Sequence, residues 1–230
     1  MKNIIEVVFS SHLSPEENKT FENHISNTIG CNHNIHCYEN KNQYSLCEVY
    51  NDSLKNHHKN ENQIFLFLHN DILFKTRKWG KILLRKFNNH DKDIIGVAGS
   101  TQLSENGVWW MKKDKMFGRV SHTDGLREWV SDYNSKFLGL KDVVVIDGLF
   151  MAVNPDMVEY GFDETFKGFH FYDISFCLKN FINGLNIGVT NEINVLHKSI
   201  GQTNEQWEEN RKLFIKKYKE YLPLNLEDYD

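Results

Sequence analysis

Three aspartates and three histidines carry the spacing from which chemistry can be read in this chain. His69 and Asp71 flank Asn70 directly after an apolar run, Gln63–Leu68. A carboxylate and an imidazole one residue apart suit a divalent cation that carries a phosphorylated substrate, because such ions take oxygen and imidazole ligands. Asp147-Gly148 and His197 also end apolar stretches, and His170-Phe171-Tyr172-Asp173 opens a helical pattern. An aspartate at a helix opening is kept ionised by the helix dipole and can act as a base. A polar strand end entering a loop, a structural histidine or a simple N-terminal helix acid would give the same residues. Each cluster alone leaves both readings open.

The elements that must position these residues are legible nearby. Asn3–Phe9 reads as a first strand, Asn34–Tyr38 as a second, and Gln63–Leu68 as a third, apolar on both faces as a central parallel strand requires. Ser14-Pro15-Glu16-Glu17 and Ser45-Leu46-Cys47-Glu48 are capping boxes, which start helices running to about Gly30 and His57. Lys75–Phe87 is predicted helical with Trp79, Ile82, Leu83 and Phe87 on one face, and Ile94–Ala98 as a fourth strand. Alternating strands and helices predict an α/β fold with a mainly parallel sheet and helices on both faces. Ligands then lie past the carboxyl ends of the strands, where His69-Asn70-Asp71 stands.

After Gly99 the pattern changes. Ser100–Lys141 is polar, aromatic and punctuated by glycine, too long for a plain connection. Trp109, Trp110 and Trp129 argue against disorder, and neighbouring tryptophans cannot easily both face inward. The stretch is expected to be one long loop with a functional role. Val143–Ile146, Leu149–Val153, Ile187–Val189 and Val195-Leu196 read as extended, Tyr172–Phe181 and Asn204–Tyr221 as helices. No repeat or linker divides the chain, so residues 1–230 are read as one domain with an elaborated second half.

Composition narrows the classes. The chain has 230 residues, enough for one sizeable core, and 27 basic against 31 acidic residues give a net charge of −4. A nucleic-acid binder carries a basic excess instead. The first residues do not form a signal peptide, because Glu6 breaks a short apolar run. No segment approaches a membrane span. The expectation is a cytoplasmic protein, with peripheral contact at the inner face of a membrane and homo-oligomer formation left open. Cys31, Cys37, Cys47 and Cys177 show no CxxC spacing and are read as free thiols. A zinc site over Cys31, His33, His36 and Cys37 is disfavoured, since a strand there sends neighbouring side chains to opposite faces.

Taken together, four segments resemble the family 2 glycosyltransferases of GT-A fold, in particular the branch with a StrF-like domain. Phe67-Leu68-His69-Asn70-Asp71 resembles that branch's form of the DxD metal motif, with histidine in the first acidic position. Val145–Ala152 resembles its acceptor-side strand, and Gly161–Phe166 with Gly168–Leu178 the segment opening the catalytic helix. Val195-Leu196-His197 resembles the late histidine that completes the metal site. The resemblance spans nearly the whole chain, is strongest over 64–75 and 143–200, and is weak over 100–141.

The resemblance implies an inverting transfer of a sugar from a nucleotide-diphosphate donor, expected to be a UDP-sugar, to a hydroxyl of a glycan or other acceptor. It implies Mn²⁺ or Mg²⁺ held by Asp71 and His197 with help from His69, and Asp173 as general base. Donor contacts are implied at Phe9, Ser10, Ser11, Glu39, Asn70 and Asp71, and acceptor contacts at Asp147, Gly148, His170, Tyr172, Trp109 and Trp110. The resemblance likewise implies a nucleotide-sugar-binding half, 1–99, and an acceptor and catalytic half, 100–230, with the stretch 100–141 as a lid over the acceptor, since tryptophan faces stack on sugar C–H surfaces. Two positions depart from the pattern: the usual acidic pair at the helix start reads Tyr172-Asp173, and Ser175 stands where an aspartate is common. A nucleotidyltransferase on a related sheet would carry a glycine- and arginine- or lysine-rich loop after the first strand, where this chain has His12-Leu13-Ser14-Pro15. A non-catalytic glycan- or nucleotide-binding module would be expected to lack Asp71 or Asp173, and both are present.

Overall fold

A computed structural model describes residues 1–199, 201 and 203–229. The first half follows the predicted alternation: β1 (Ile4–Ser11), α1 (Pro15–Ile29), β2 (Asn32–Glu39), α2 (Leu46–His57), β3 (Gln63–Leu68), β4 (Ile72–Phe74), α3 (Trp79–Asn89) and β5 (Ile94–Gly96). Both capping boxes form: Ser14 and Ser45 Oγ accept from the Glu17 and Glu48 amides, and each glutamate accepts its serine's amide in return. The second half contains β6 (Ala98–Ser100), β7 (Gln102–Leu103), β8 (Met116–Thr123), β9 (Glu128–Tyr133), β10 (Leu140–Val143), β11 (Val145–Ile146) and β12 (Phe150–Val153). It closes with α4 (Tyr172–Phe181), β13 (Ile187–Thr190), β14 (Val195–His197), α5 (Glu205–Tyr218) and β15 (Leu224–Asn225).

The main sheet has the order β10-β13-β5-β12-β3-β1-β2. Strands β1, β2, β3, β5 and β13 share one direction; β12 enters antiparallel between β3 and β5, and β10 closes an edge antiparallel to β13. The sheet is thus mainly parallel with helices flanking it, and every residue of β3 is buried. A second sheet, ordered β11-β6-β8-β14-β4 with β9 on β8, sits beyond the point where β3 ends.

Several predicted elements divide at this boundary. The expected strand Ile94–Ala98 breaks at Val97, and Val143–Ile146 breaks at Val144, so that each half pairs in a different sheet. Gly118 of β8 packs against the break at Val97: at φ 114°, a Cβ there would lie 2.1 Å from the Val97 carbonyl oxygen. The helix expected from Lys75 begins at Trp79, because Ile72–Phe74 is drawn into the second sheet against β14. The expected long loop 100–141 is largely strand. Its β8–β9 hairpin was hidden by glycine and polar residues on the exposed side, while Met116, Gly118 and Val120 turn inward with period two.

Toward the opposite, amino-terminal ends of the strands, Glu6 is a carboxylate buried in the sheet. It accepts from Gln63 Nε2 at 2.7 Å and Asn34 Nδ2 at 3.0 Å, and pairs with His36 Nε2 at 2.7 Å. Four groups thus share one satisfied site, as a buried charge requires. His33 bonds the Cys31 carbonyl and Ser26.

Candidate active site

The carboxyl ends of β1 and β3 open into a cleft of about 780 Å³. Local hydrogen bonds shape its floor. Asn70 Nδ2 donates to Ser11 Oγ at 2.9 Å, and Ser11 Oγ donates to Asn18 Oδ1 at 2.6 Å. Asn40, just past β2, donates to Ser10 Oγ at 3.1 Å and receives the amides of Gln43 and Tyr44. Ser10, Ser11, Asn70 and Asp71 line the cleft as expected. Two expected donor residues do not. The Phe9 ring is fully buried, edge-on to Phe21 at 4.9 Å, and Glu39 is exposed outside the cleft. Strand alternation explains the first, since Phe9 sits one residue before the face-switching Ser10. Asn40 stands in the cleft where Glu39 was expected.

Three groups converge at one end. The second sheet brings β14 antiparallel to β4, with His197 opposite Ile72, and so sets His197 beside Asp71. His197 Nε2 is 3.3 Å from Asp71 Oδ1, and His69 Nδ1 is 3.9 Å from the same oxygen. The three side chains can offer ligand atoms that all lie within 4.8 Å of one another. Asp71 Oδ1 is buried, yet it meets the criteria for a hydrogen bond with none of the described residues. An orphaned buried carboxylate oxygen facing two imidazoles fits a cation. Two ligands on one ion at about 2.1 Å stand roughly 3 to 4 Å apart, which matches these separations. Burial alone would raise the Asp71 carboxyl, but the adjoining His197 and His69 outweigh it and hold the group well below the usual carboxylate range. Burial would lower His197, and Asp71 overrides it to hold that imidazole above its ordinary value.

The opposite wall is the start of α4. Phe171, the residue before it, holds a left-handed backbone at φ 65°, a costly conformation for a bulky residue and one that clusters at functional sites. Asp173 follows in the first turn, and its Oδ2 accepts the Gly148 amide at 2.9 Å. Burial, reinforced by the neighbouring Asp147 charge, pushes the Asp173 carboxyl up to about 7. That is the value of a general base poised for neutral pH. Asp147, His170 and Tyr172 line the same cleft, whereas Gly148, expected among the acceptor contacts, does not; its backbone amide is engaged by Asp173. Tyr172 Oη lies 2.8 Å from His69 Nε2, which ties this wall to the cation end.

Aromatic residues form the mouth. Trp109 is 6 % exposed and Trp110 is 42 % exposed, so of the adjacent pair one packs inward and one faces solvent. Trp110 leans on Trp207 of α5 with ring centroids 6.2 Å apart, and Phe169 and Tyr133 line the same opening. Trp129 lies elsewhere, on β9, stacked on His122 at 5.6 Å. Trp207, Tyr133, Phe169 and His12 were missed from sequence. Trp207 stands inside the predicted last helix, and nothing local in the sequence marked it or the others as lining a site.

A model of the glycosyltransferase-like family matches residues 16–218. The chain belongs to this glycosyltransferase-like family. No curated protein matches it in sequence. Solved structures share the fold at low identity. GalNAc-T7, solved with UDP, GalNAc and Mn²⁺, is 8 % identical with a TM-score of 0.63 over 96 % of this chain and 49 % of its own. The mannosyltransferase PcManGT from Pyrobaculum calidifontis, solved with GDP-Man and Mn²⁺, is 9 % identical with a TM-score of 0.53 over 92 % and 61 %. A protein from STIV is 12 % identical with a TM-score of 0.50 over 87 % of each chain. The chain spans less than two thirds of the two transferases it resembles. The fold of this family member is thus the GT-A glycosyltransferase fold. Among its described residues no helix is long and apolar enough to cross a membrane.

Proposed function

We propose that this protein is an inverting glycosyltransferase that moves a sugar from a nucleoside-diphosphate donor, a UDP-sugar, to a hydroxyl of a glycan or related acceptor. The observation that carries the reading is the facing pair of sites in one cleft: the Asp71–His197–His69 trio with its orphaned oxygen, and the half-buried Asp173, held by the Gly148 amide, with its carboxyl pushed up to about 7. Asp71, His197 and His69 hold the divalent ion, Mn²⁺ or Mg²⁺. When bound, it neutralises charge on the departing diphosphate.

The remaining roles fall to the chain. The donor's nucleoside lies along Ser10, Ser11 and Asn70 at the ends of β1 and β3, with Asn40 shaping that wall. Asp173 takes the proton from the acceptor hydroxyl as its oxygen attacks the anomeric carbon. The Gly148 amide holds the carboxylate at one oxygen and leaves the other for that proton. A single displacement with one base inverts the anomeric centre. Trp110, Phe169 and Trp207 offer apolar faces for the acceptor sugar, and Trp109-Trp110 with its flanking turns is the segment that closes over it.

A donor screen that measures nucleotide release with and without Mn²⁺, followed by mass analysis of the product, tests the proposal. Metal-dependent release from a UDP-sugar with a new glycoside is expected. Nucleotidyl transfer, or binding without turnover across all donors and acceptors, would overturn it.

A further inference from the structure

Tyr172 stands where an acid is usual at the start of this helix, and the structure gives its hydroxyl a definite task. Tyr172 Oη is 2.8 Å from His69 Nε2, while the other ring nitrogen, Nδ1, faces Asp71 Oδ1 at 3.9 Å. The phenol is buried beside Tyr50, with ring centroids 5.8 Å apart. Space for the hydroxyl exists because residue 148 is glycine. A Cβ there would lie 2.1 Å from Tyr172 Oη and 2.5 Å from its Cζ.

An imidazole binds a cation through a ring nitrogen that carries a lone pair, and the partner of the other nitrogen decides which one that is. We propose that Tyr172 is a positioning residue for the cation site: its oxygen accepts the Nε2–H of His69, leaving the Nδ1 lone pair directed at the ion held by Asp71 and His197, and Gly148 keeps the space that this contact needs. The inference rests on the metal-binding reading above and withdraws the Tyr172 hydroxyl from the acceptor contacts. It also connects two departures in the sequence. A histidine in the first position of the metal motif needs its tautomer set, which a carboxylate there would not, and the residue that sets it occupies the place of the missing acid.

The test uses Tyr172→Phe, which removes the hydroxyl and keeps the ring. In the metal-free wild type, nitrogen NMR of labelled histidine should show His69 as the Nε2–H tautomer; in Tyr172→Phe both tautomers should appear. Calorimetric titration with MnCl₂ alone should show affinity weakened about tenfold or more in the variant, the scale seen for partners of metal-bound histidines. Gly148→Ala should lower it similarly, and the double variant should fall no further than the lower single one. In a His69→Asp background, adding Tyr172→Phe should leave Mn²⁺ affinity unchanged. A wild-type Nδ1–H tautomer, or Tyr172→Phe with wild-type Mn²⁺ affinity, would overturn the inference alone. Wild-type protein that binds no Mn²⁺ would overturn the metal reading and the inference with it.

Discussion

The Gly148 amide donates to Asp173 Oδ2 at 2.9 Å, so the middle of the β11–β12 connection holds the carboxylate that opens α4. Asp173→Asn keeps this shape and removes the basicity. Transfer should fall roughly a hundredfold or more, the usual scale for general-base catalysis, while donor affinity measured by calorimetry stays near wild type. The wild-type product, examined by NMR, should have inverted anomeric configuration. Near-normal turnover in the variant, or retention in the product, would remove Asp173 from the mechanism.

The same group predicts a pH dependence of both rate and stability. Only ionised Asp173 accepts a proton, so transfer should rise with pH through about 7. Its folded carboxyl is raised above the ordinary ~3.9, so between about pH 4 and 7 the native state holds a proton that the unfolded chain has released. Stability therefore declines across that window, by a few kcal/mol in order of magnitude. Asp173→Asn should melt higher than wild type at pH 8, with the gain vanishing toward pH 4. A variant that is less stable at pH 8 would contradict this.

Donor binding should depend on metal through Asp71 and His197. Calorimetry of UDP with Mn²⁺, after chelation, and in Asp71→Ala and His197→Ala decides the matter. The reading expects a large loss in the last three conditions. Equal affinity throughout would exclude the trio.

Closure of the mouth is measurable by hydrogen exchange. Amides over residues 104–112, which carry Trp109 and Trp110 between β7 and β8, should gain protection when UDP-sugar and acceptor are both present. The paired amides of the β8–β9 hairpin should change little, since their ladder is already formed. Unaltered exchange at 104–112 would end the lid proposal.

Away from the cleft, Glu6→Ala should destabilise the fold by about 3 kcal/mol or more, because it strands His36, Gln63 and Asn34 without their partner. Burial works against the Glu6 charge, but hydrogen bonds from His36, Gln63 and Asn34 outweigh it and lower its pKa. Its contribution is present above the unfolded value and is lost as pH falls through the folded one. Urea melts of wild type and variant should therefore converge at acid pH. A gap that persists unchanged at low pH would rule out the charge as its source.

The sequence by itself determined the elements whose causes are local. Ser14–Glu17 and Ser45–Glu48 bond within one turn, and the apolar run Gln63–Leu68 needs cover on both faces wherever it sits. It also marked His69, Asp71 and His197 at the ends of apolar runs and Asp173 at the opening of a helical pattern. Tertiary structure decided what depends on partners far along the chain. Val97 and Val144 look like ordinary strand residues, yet the chain changes sheet there because each side finds a different neighbour. Asn40 rather than Glu39 faces the cleft, since the turn after β2 is set by bonds to Ser10 and Tyr44. Tyr172 reads as a substitution for an acid until His69 and Gly148 are brought against it. Hydrogen bonds and excluded volume act over a few ångströms, so a pattern of neighbours in sequence cannot register contacts that only folding creates.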